Sequence, residues 1–478
     1  MKQYDLIVIG TGSGMSIADA AISESPDLKV AVIDKDDPGG ICLTRGCIPS
    51  KLLIYPADVV RLIQKSEEFG INVQIKNIDF AKIMDHMRSI IKKDIDAIRS
   101  GLKNSKNIDY YSAQAEFTAP YTLKVNNQLI ASKLILLCTG SRPAIPPIES
   151  LEETGYLTSD TLLELTKLPK TIAIIGGGYI AAEFGHFLSA MGSKIIIIGR
   201  NPQFISTEEP EISSVAKKEL EKHLTILTNH EVLKTQVSSK GKKVVAVNRD
   251  NGEKTRFVVD EILVATGRSS NSDILHPELG GIKTDKKGFF IVDDYLQTSQ
   301  PGVYALGDAN GNYLFKHVAN HEARIVYFNT FGKTKMKVDY HAVPHAVFSE
   351  PEIASVAMLE KEAVGKFGKD NVLIGFYRYE DTAKGEAIGA TEYFVKVIIQ
   401  RKTGKILGAH IVGPQASVLI QEIINMMYTK NQSSEPLIEA MHIHPALPEV
   451  VDRAFRSLRT VDQYHHLLKD HLNLPTSL

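Results

Sequence analysis

Two segments of this chain share one design: an apolar strand, a glycine-rich turn, a helix of small residues and a second apolar strand. The first runs through YDLIVIGTGSGMSIADAAISE to LKVAVID, and the second through TIAIIGGGYIAAEFGHFLSAMG to SKIIIIG. Each segment has the pattern of a strand–helix–strand unit whose turn cradles the phosphates of a dinucleotide. Two such units predict an α/β fold with two Rossmann-like dinucleotide-binding domains.

The length and charge of the chain narrow the choice of fold and partner. Hydrophobic cores stop growing near ~250 to 300 residues, so 478 residues predict several packed domains. The formal net charge is -1, which creates no strong field toward nucleic acid or an anionic membrane. We therefore expect a small-molecule partner, no nucleic acid and no membrane. The start MKQYDLIVIG lacks a signal-peptide pattern, and no apolar run reaches ~18 residues, so we predict a cytoplasmic protein.

The glycines of GTGSGM have separate tasks. Gly10 gives the tight turn, and Gly12 lets the backbone approach a pyrophosphate at the N-terminus of the following helix. The third position of the fingerprint is Met15, which weakens the argument for close packing of helix on strand. Gly14, directly before it, is also counted as cofactor-binding. Asp34, at the end of the second strand, is placed to accept hydrogen bonds from an adenosine ribose. The alternative is a glycine turn in a domain without a nucleotide.

The second turn carries Gly176, Gly178 and Ala181, and alanine is an accepted third member of the fingerprint. The acidic position at the end of the next strand is Gly199, and Arg200 follows it. The missing carboxylate leaves room for a 2′-phosphate, and the arginine fork is a donor to that phosphate. We therefore favour NADPH over NADH. The alternative is that Arg200 is a solvated surface residue.

The stretch GGICLTRGCIPSKLL predicts a redox centre. Cys42 and Cys47 are five positions apart with Gly46 between them, so a short-loop disulfide is feasible if the Cα atoms come within ~7 Å. Pro49 predicts the first residue of the next helix, which places Cys47 at a helix N-terminus and favours its thiolate. Cys42 is then the freer sulfur. Cys138, in LILLCTG, is interpreted as a small buried hydrophobic residue of a strand.

Other interpretations of the cysteines are two unpaired thiols or half of a metal site. The further Cys and His ligands of a zinc site are missing, so we predict no metal. Arg45, between the cysteines, either lowers a thiol pKa, attracts an acidic substrate or points to solvent.

The remaining pattern predicts the order of the domains. The stretch from about Pro49 to Gly101 is amphipathic and helical, with a kink or break at Pro56. Strand patterns follow in KKVVAVNRD, DEILVATGR and TSQPGVYALGD, and the last third alternates strands with helices, which is typical of an α+β domain. The pattern thus predicts a dinucleotide-binding domain with the redox pair (1–150), a second dinucleotide-binding domain (151–270), a return segment to the first domain (271–340) and a C-terminal α+β domain (341–478).

The pattern GGxCxxxGCxPSK after an N-terminal dinucleotide fold resembles the class I pyridine nucleotide-disulfide oxidoreductases, and the resemblance extends over the whole chain. It implies bound FAD, a redox-active disulfide between Cys42 and Cys47, and a homodimer. It implies that the four predicted segments are, in order, the FAD-binding domain, the NAD(P)-binding domain, the central FAD segment and the dimerisation domain. It also implies that Asp308, in TSQPGVYALGDANG, binds the flavin ribityl chain and that Lys51 of the PSK motif pairs with Glu183 near the flavin. The resemblance adds further cofactor-binding glycine and threonine positions: Gly40, Thr139, Gly140 and Gly267.

The segment MHIHPALPEVV resembles the C-terminal His-Glu segment of the family. His444 is followed by a rigid proline, and Glu449 is close enough through a turn to hold one imidazole nitrogen. A histidine held in this way carries protons near neutral pH. The resemblance implies that His444 serves the disulfide of the other subunit, while His442 is interpreted as a packed neighbour.

These patterns predict an FAD-dependent NAD(P)H:disulfide oxidoreductase acting on a small dithiol or disulfide, similar to mycothione reductase. The alternative is a dihydrolipoyl dehydrogenase, with docking to a 2-oxoacid dehydrogenase complex as a possible partner role. Mercuric reductase and the large thioredoxin reductases need a further C-terminal cysteine pair, and the tail DHLNLPTSL has none.

Overall fold

The first dinucleotide unit lies at the centre of a five-stranded parallel sheet. Its central strands are buried on both faces, as expected when other layers cover a parallel sheet. Two helices, Met15–Glu24 and Lys316–Thr330, pack on one face, and a small four-stranded sheet covers the other. In spatial order the strands are Val303–Ala305, Ile135–Leu137, Leu6–Ile9, Val30–Asp34 and Ile108–Ser112; those of the covering sheet are Lys2–Gln3, Gln128–Ala131, Thr122–Val125 and Ala115–Ala119.

The second unit forms a parallel sheet of the same kind. Helix Tyr179–Met191 packs on one face, and an antiparallel three-stranded sheet packs on the other. The parallel strands are Leu157–Thr158, Glu261–Val264, Thr171–Ile175, Lys194–Ile198 and Thr225–Leu227; the antiparallel ones are His230–Ser238, Gly241–Asn248 and Lys254–Val259. The pair Ser141–Pro143 and Arg268–Ser270 joins the two units by an antiparallel two-stranded ladder.

The last third of the chain forms a six-stranded antiparallel sheet. Its two middle strands, Phe394–Gln400 and Ile406–Val412, are almost entirely buried because layers cover both faces. The other strands are Pro344–Val347, Ile353–Ala357, Val372–Arg378 and Leu458–Thr460. The helices of this part are Glu360–Phe367, Ala383–Ala387, Ala416–Met427, Glu435–Glu439, Pro448–Arg456 and Val461–Leu467.

The stretch predicted as helical after the cysteines contains two long helices, Cys47–Lys65 and Phe80–Asn104. The first begins two residues earlier than predicted, so Cys47 is its first residue. The predicted break at Pro56 is wrong, because the helix continues through it. Leu53, Ala57 and Val60 are buried in the same core as helix Tyr179–Met191, and this packing offsets the hydrogen bond that Pro56 removes. The shorter helices of the first two-thirds are Gly40–Thr44, Leu151–Thr154 and Pro210–Leu220.

The predicted fold class is confirmed: two dinucleotide-binding folds precede an α+β domain. Strand Val303–Ala305 returns to the first sheet after the second unit is complete. The exact domain boundaries stay a prediction.

The computed structural model describes residues 1–469, 474 and 475. The rest of the tail DHLNLPTSL lies outside the described residues. Its lack of cysteines is the ground for excluding mercuric reductase and the large thioredoxin reductases. Within the described part of the chain, no helix combines the length and the apolar character needed to cross a membrane.

A buried charge cluster joins the second unit to the last domain. The ammonium of Lys396 lies 2.6 Å from Glu211 Oε1, 2.7 Å from Glu360 Oε2 and 3.2 Å from Glu209 Oε2. The three carboxylates are close enough together for a metal ion, but Lys396 already supplies the positive charge there. Burial, opposed by Lys396 and reinforced by the charge of Glu211, raises the pKa of Glu209 to about 7.

Candidate active site

The first glycine turn brings helix Met15–Glu24 against the end of strand Ile135–Leu137. Gly10 has a φ of 100°, and a Cβ added there would lie 2.1 Å from the carbonyl oxygen of Cys138. A Cβ on Gly14 would lie 2.3 Å from Cys138 Sγ. Gly14 therefore allows the close approach that the fingerprint assigns to its third glycine, and the weakening inferred from Met15 is wrong. Gly12 faces open space.

Asp34 and Cys138 lie on either side of this turn. Asp34 accepts hydrogen bonds from the backbone N–H of Thr11 at 2.9 Å and from its hydroxyl. Burial raises the pKa of Asp34, and these hydrogen bonds oppose the shift. Cys138 lies just beyond the strand rather than within it, and burial raises the pKa of its thiol to about 12. Its packing against apolar residues agrees with the predicted structural role.

A cavity of about 890 Å³ extends from this turn to the redox cysteines. Gly40 packs directly on the glycine turn, since a Cβ there would lie 2.7 Å from Gly12 Cα. Gly140, beside the cavity, has a φ of 65°. The buried hydroxyl of Thr139 has no hydrogen-bond partner among the described residues. Asp308 lines the same cavity, where it accepts a hydrogen bond from Ser141, and burial raises its pKa. The glycine cradle, the unsatisfied hydroxyl and the buried carboxylate fit a bound FAD.

Cys42 and Cys47 face this cavity as a dithiol pair. Cys42 lies within the short helix Gly40–Thr44, whereas Cys47 is the first residue of the long helix Cys47–Lys65. Cys47 is the more exposed of the two residues. A hydrogen bond from the Cys42 thiol and the charge of Lys51 outweigh burial and lower the pKa of Cys47 to about 7. The same hydrogen bond, with burial, raises the pKa of Cys42. Ionisation therefore distinguishes the two sulfurs.

Lys51, one helical turn after Cys47, is held by Glu183 of helix Tyr179–Met191. Its Nζ donates to Glu183 Oε2 at 2.8 Å and to Oε1 at 3.0 Å. Glu183 Oε1 also accepts the backbone N–H of Phe348 at 3.0 Å, and Lys51 Nζ lies 4.6 Å from the centroid of the Phe348 ring. The structure thus brings Lys51 and Glu183 together beside the thiols. Sequence reasoning missed Phe348.

His444 and Glu449 form a second pair, which does not line this cavity. Glu449 Oε1 lies 3.0 Å from His444 Nδ1, and this hydrogen bond lowers the pKa of Glu449. The His444 side chain is 70% exposed. Its Nε2 edge therefore faces outward in a single chain. His442 lies 3.5 Å from Glu422 and is 11% exposed, in agreement with a packed neighbour.

The second glycine turn resembles the first in its backbone. Gly176 has a φ of 134°, and a Cβ there would lie 2.1 Å from the carbonyl oxygen of Ala265. Gly178 opens to free space at the start of helix Tyr179–Met191, in which Ala181 is buried. Gly199 packs against Gly177, with a Cβ contact of 3.2 Å, so its small size has a packing reason as well.

Arg200 is exposed at the end of strand Lys194–Ile198, and its carbonyl oxygen accepts a hydrogen bond from Arg249. Gly267, with a φ of 111°, lies in the ladder between the two units, where its carbonyl oxygen accepts the N–H of Ala144. Neither residue lines the cavity that holds the thiols.

Arg45 lies beside two carboxylates, and its role toward the thiols stays a prediction. Its guanidinium pairs with Asp36, and its Nε lies 3.5 Å from Asp160. Sequence reasoning missed a further cation, Lys316, whose Nζ donates to Ser13 Oγ at 2.9 Å and whose charge favours the thiolate of Cys42. The start of helix Lys316–Thr330 carried no signal beyond a lysine beside a glycine-rich segment.

Comparisons with known proteins agree with this geometry. Residues 4–324 match the sequence profile of the pyridine nucleotide-disulphide oxidoreductases, and residues 343–455 match the profile of the dimerisation domain of that family. Mycothione reductase of Mycobacterium tuberculosis is 36% identical over 470 residues, which are 96% of this chain and 100% of that protein. Dihydrolipoyl dehydrogenase of Chlamydia trachomatis is 33% identical over 462 residues, which are 94% of this chain and 95% of that protein.

A solved structure has the same fold over nearly the whole chain. The HOCl-induced flavoprotein disulfide reductase RclA from Escherichia coli aligns with a TM-score of 0.84 and 26% identity, and the alignment covers 95% of this chain and 99% of that one. The fold and the site thus define a flavoprotein disulfide oxidoreductase, an enzyme acting on sulfur groups. The chain belongs to the pyridine nucleotide-disulphide oxidoreductase family. This family uses FAD and NAD(P)H, and the dimerisation domain supports a homodimer.

Proposed function

We propose that this enzyme uses NADPH to reduce a low-molecular-weight disulfide through Cys42 and Cys47, as in mycothione reductase. The observation that carries the proposal is the unequal ionisation of two adjacent thiols in a cavity that fits FAD. A thiol that a base can deprotonate, next to a stabilised thiolate, is an arrangement suited to disulfide exchange.

The residues of the cavity wall would set the ionisation of Cys47 in the redox pair. Bound FAD would carry two electrons from the nicotinamide to the disulfide form of Cys42 and Cys47. Lys51, fixed by two contacts to Glu183, holds a positive charge beside the Cys47 thiolate. The N–H of Cys47 at the start of its own helix favours the same ionised form.

Cys42 is then the sulfur that reacts with the substrate. His444 of the partner subunit removes the Cys42 proton, and Cys42 Sγ attacks one substrate sulfur, so that a mixed disulfide forms and the substrate S–S bond breaks. The same imidazole returns the proton to the first leaving thiolate. Cys47 then attacks Cys42 Sγ and restores the disulfide. The second thiolate leaves and takes its proton from solvent, so the substrate gains two electrons and the protein dithiol loses two.

Two variants test the role of the cysteines. Cys42→Ser should abolish turnover of glutathione disulfide, lipoamide and other small disulfides, while bound FAD is still reduced by NADPH. Cys138→Ala removes the third thiol and is the matched control, which should retain turnover. Disulfide reduction that persists in Cys42→Ser would contradict the proposal.

The preference for NADPH rests on Gly199 and the exposed Arg200. Arg200→Ala should raise KM for NADPH about tenfold, because one charge-assisted hydrogen bond is lost, and leave KM for NADH nearly unchanged. Arg256→Ala, on an exposed strand position, is the control. If Arg200→Ala left KM unchanged for both NADPH and NADH, Arg200 would be a solvated surface residue.

The similarity to dihydrolipoyl dehydrogenases supports a second candidate function. In that case the enzyme would oxidise dihydrolipoamide with NAD⁺ and dock to a 2-oxoacid dehydrogenase complex. Comparing kcat/KM for lipoamide with NADH and for other small disulfides with NADPH separates the two. Co-purification with such a complex would support the second candidate, whereas a free dimer that prefers NADPH and a small disulfide supports the first.

A further inference from the structure

A row of polar side chains crosses four neighbouring strands of the C-terminal sheet. His345 pairs in register with Ser355, Ser355 with His410, and His410 with Lys396. Apart from His345, which is 25% exposed, these side chains are almost completely buried. A buried polar row of this length needs partners, because an unpaired charge in a core is costly.

An acidic segment of the second unit supplies those partners. Glu208, Glu209 and Glu211 are at most 2% exposed, and all three face this row. Glu208 Oε1 lies 2.6 Å from His345 Nε2, and its other oxygen accepts a hydrogen bond from Ser355. Glu209 and Glu211 contact Lys396. The segment and the row together join the nucleotide-binding unit to the C-terminal sheet.

At one end this contact reaches the nucleotide turn. The N–H of Glu208 bonds to the carbonyl oxygen of Ile205, and the N–H of Ile205 bonds to that of Gly177 at 2.7 Å. Ile205 has a φ of 46°, a left-handed conformation that a β-branched residue adopts only when its surroundings impose it. The position of Glu208 is therefore tied to the glycine turn of the second unit through two hydrogen bonds.

At the other end the contact reaches the redox cavity. His345 lines the cavity that also holds Cys47. Its ring lies parallel to that of Phe315, with centroids 5.8 Å apart, and Phe315 also stacks on His317 with centroids 5.4 Å apart. Three residues after His345, Phe348 donates to Glu183. The strand of His345 thus connects to the Lys51–Glu183 pair as well.

We propose that the Glu208–His345 ion pair holds the nucleotide turn in place against the wall of the redox cavity. Protonated His345 is then a positioning residue for the nicotinamide nucleotide. The inference rests on the proposed function, in which a nicotinamide nucleotide binds at this turn. Burial opposes both charges, but the mutual contact outweighs it, so that the pKa of His345 is raised and the pKa of Glu208 is lowered. The other titratable groups that face His345 are His317 and His410.

The test measures NADP⁺ binding to the flavin-loaded, oxidised enzyme by calorimetry between pH 5.5 and 9, in buffers of different ionisation enthalpy. Affinity of the wild type should fall as pH rises through the pKa of His345, and binding should take up protons in that range. His345→Gln should bind about tenfold more weakly at low pH and show neither effect, because one ion pair is lost. Glu208→Gln should give the same result, and the double variant should be no weaker than either.

His345→Lys separates positioning from a structural role. It keeps a positive charge opposite Glu208 without titrating near neutral pH, so it should restore tight binding that no longer depends on pH. His276→Gln, at an exposed histidine, is the control. The inference would be overturned if the NADP⁺ affinity of His345→Gln kept the pH dependence of the wild type. It would also be overturned if His345→Lys, with full flavin content, failed to restore tight NADP⁺ binding. The same titration with NAD⁺ tests the NADPH preference separately. If NAD⁺ binds as tightly as NADP⁺, the preference is wrong, and the pH dependence of binding still tests the role of His345.

Discussion

At the scale of single residues, the two redox cysteines differ because of what surrounds each sulfur. Their spacing and the helix start were visible in the sequence and predicted a stabilised Cys47. Two further sources of the stabilisation were not visible, since the sequence did not show that the Cys42 hydrogen bond and the charge of Lys51 reach Cys47 in the folded chain. Arg45 shows the same limit, because the sequence left its role open and its carboxylate partners, Asp36 and Asp160, became visible only in the folded chain.

Alkylation of the dithiol by iodoacetamide tests the ionisation of Cys47. Only the thiolate reacts, so Cys47 should be inert well below pH 7 and reactive above it, with a midpoint near 7. Lys51→Met should move that midpoint upward by ~1 unit, since an opposite charge is removed. Peptide mapping by mass spectrometry gives the rates, and Cys138, with a pKa of about 12, is the unreactive internal control. An unchanged midpoint in Lys51→Met would contradict the role of the lysine charge.

At the scale of elements, glycine placement decides how closely a helix can approach a strand. The fingerprint predicted the first turn but assigned the packing glycine to the wrong position, since Gly14 is the residue that meets Cys138. The helix with Pro56 shows a related error. Local propensity predicted a break, and burial of one helical face against its neighbour maintained the helix.

Two alanine variants should separate packing from cofactor binding at this turn. Gly14→Ala introduces a Cβ into Cys138 Sγ and should lower the free energy of unfolding by about 1–3 kcal/mol. Gly12→Ala meets no protein atom within 4 Å, so it should fold normally and lose FAD. Urea denaturation and flavin absorbance measure the two effects. Cys138→Ala should partly restore stability to Gly14→Ala, and the absence of any rescue would show that the strain lies elsewhere.

At the scale of the whole molecule, buried charge joins the nucleotide-binding unit to the C-terminal sheet. Lys396 is fully buried, so its removal leaves three carboxylates without their cation. Lys396→Met should therefore destabilise the protein by about 3–5 kcal/mol. Lys222→Met removes an exposed lysine from a surface ion pair and should cost under about 1 kcal/mol.

The pH dependence of this loss has a defined sign. Folded Glu209 has a pKa of about 7, above its unfolded value, so it takes up a proton as pH falls and thereby relieves the unpaired charge. The loss in Lys396→Met should be largest above pH 7 and smaller near pH 5.5. Urea unfolding at both pH values measures it, and an equal loss at both would contradict the account.

The exposed His444–Glu449 pair predicts a site shared between two subunits. Homodimers of Cys42→Ser and of His444→Ala should both be inactive. A mixed dimer isolated with two affinity tags should regain about half of the wild-type kcat, because one site then combines an intact Cys42 with an intact histidine from the other chain. If His444 served its own chain, the mixed dimer would have no complete site and would be inactive.

The sequence by itself determined the two nucleotide folds, the redox cysteines and the family resemblance, because each rests on short-range spacing within one turn or one strand–helix–strand unit. The tertiary structure alone decided the pairing of other charges, such as Glu208 with His345 and Lys396 with Glu211. These partners lie far apart along the chain, and no local pattern specifies which of many carboxylates a given cation will face. Burial then determines the outcome, since a charge inside the protein is stable only beside its counterion.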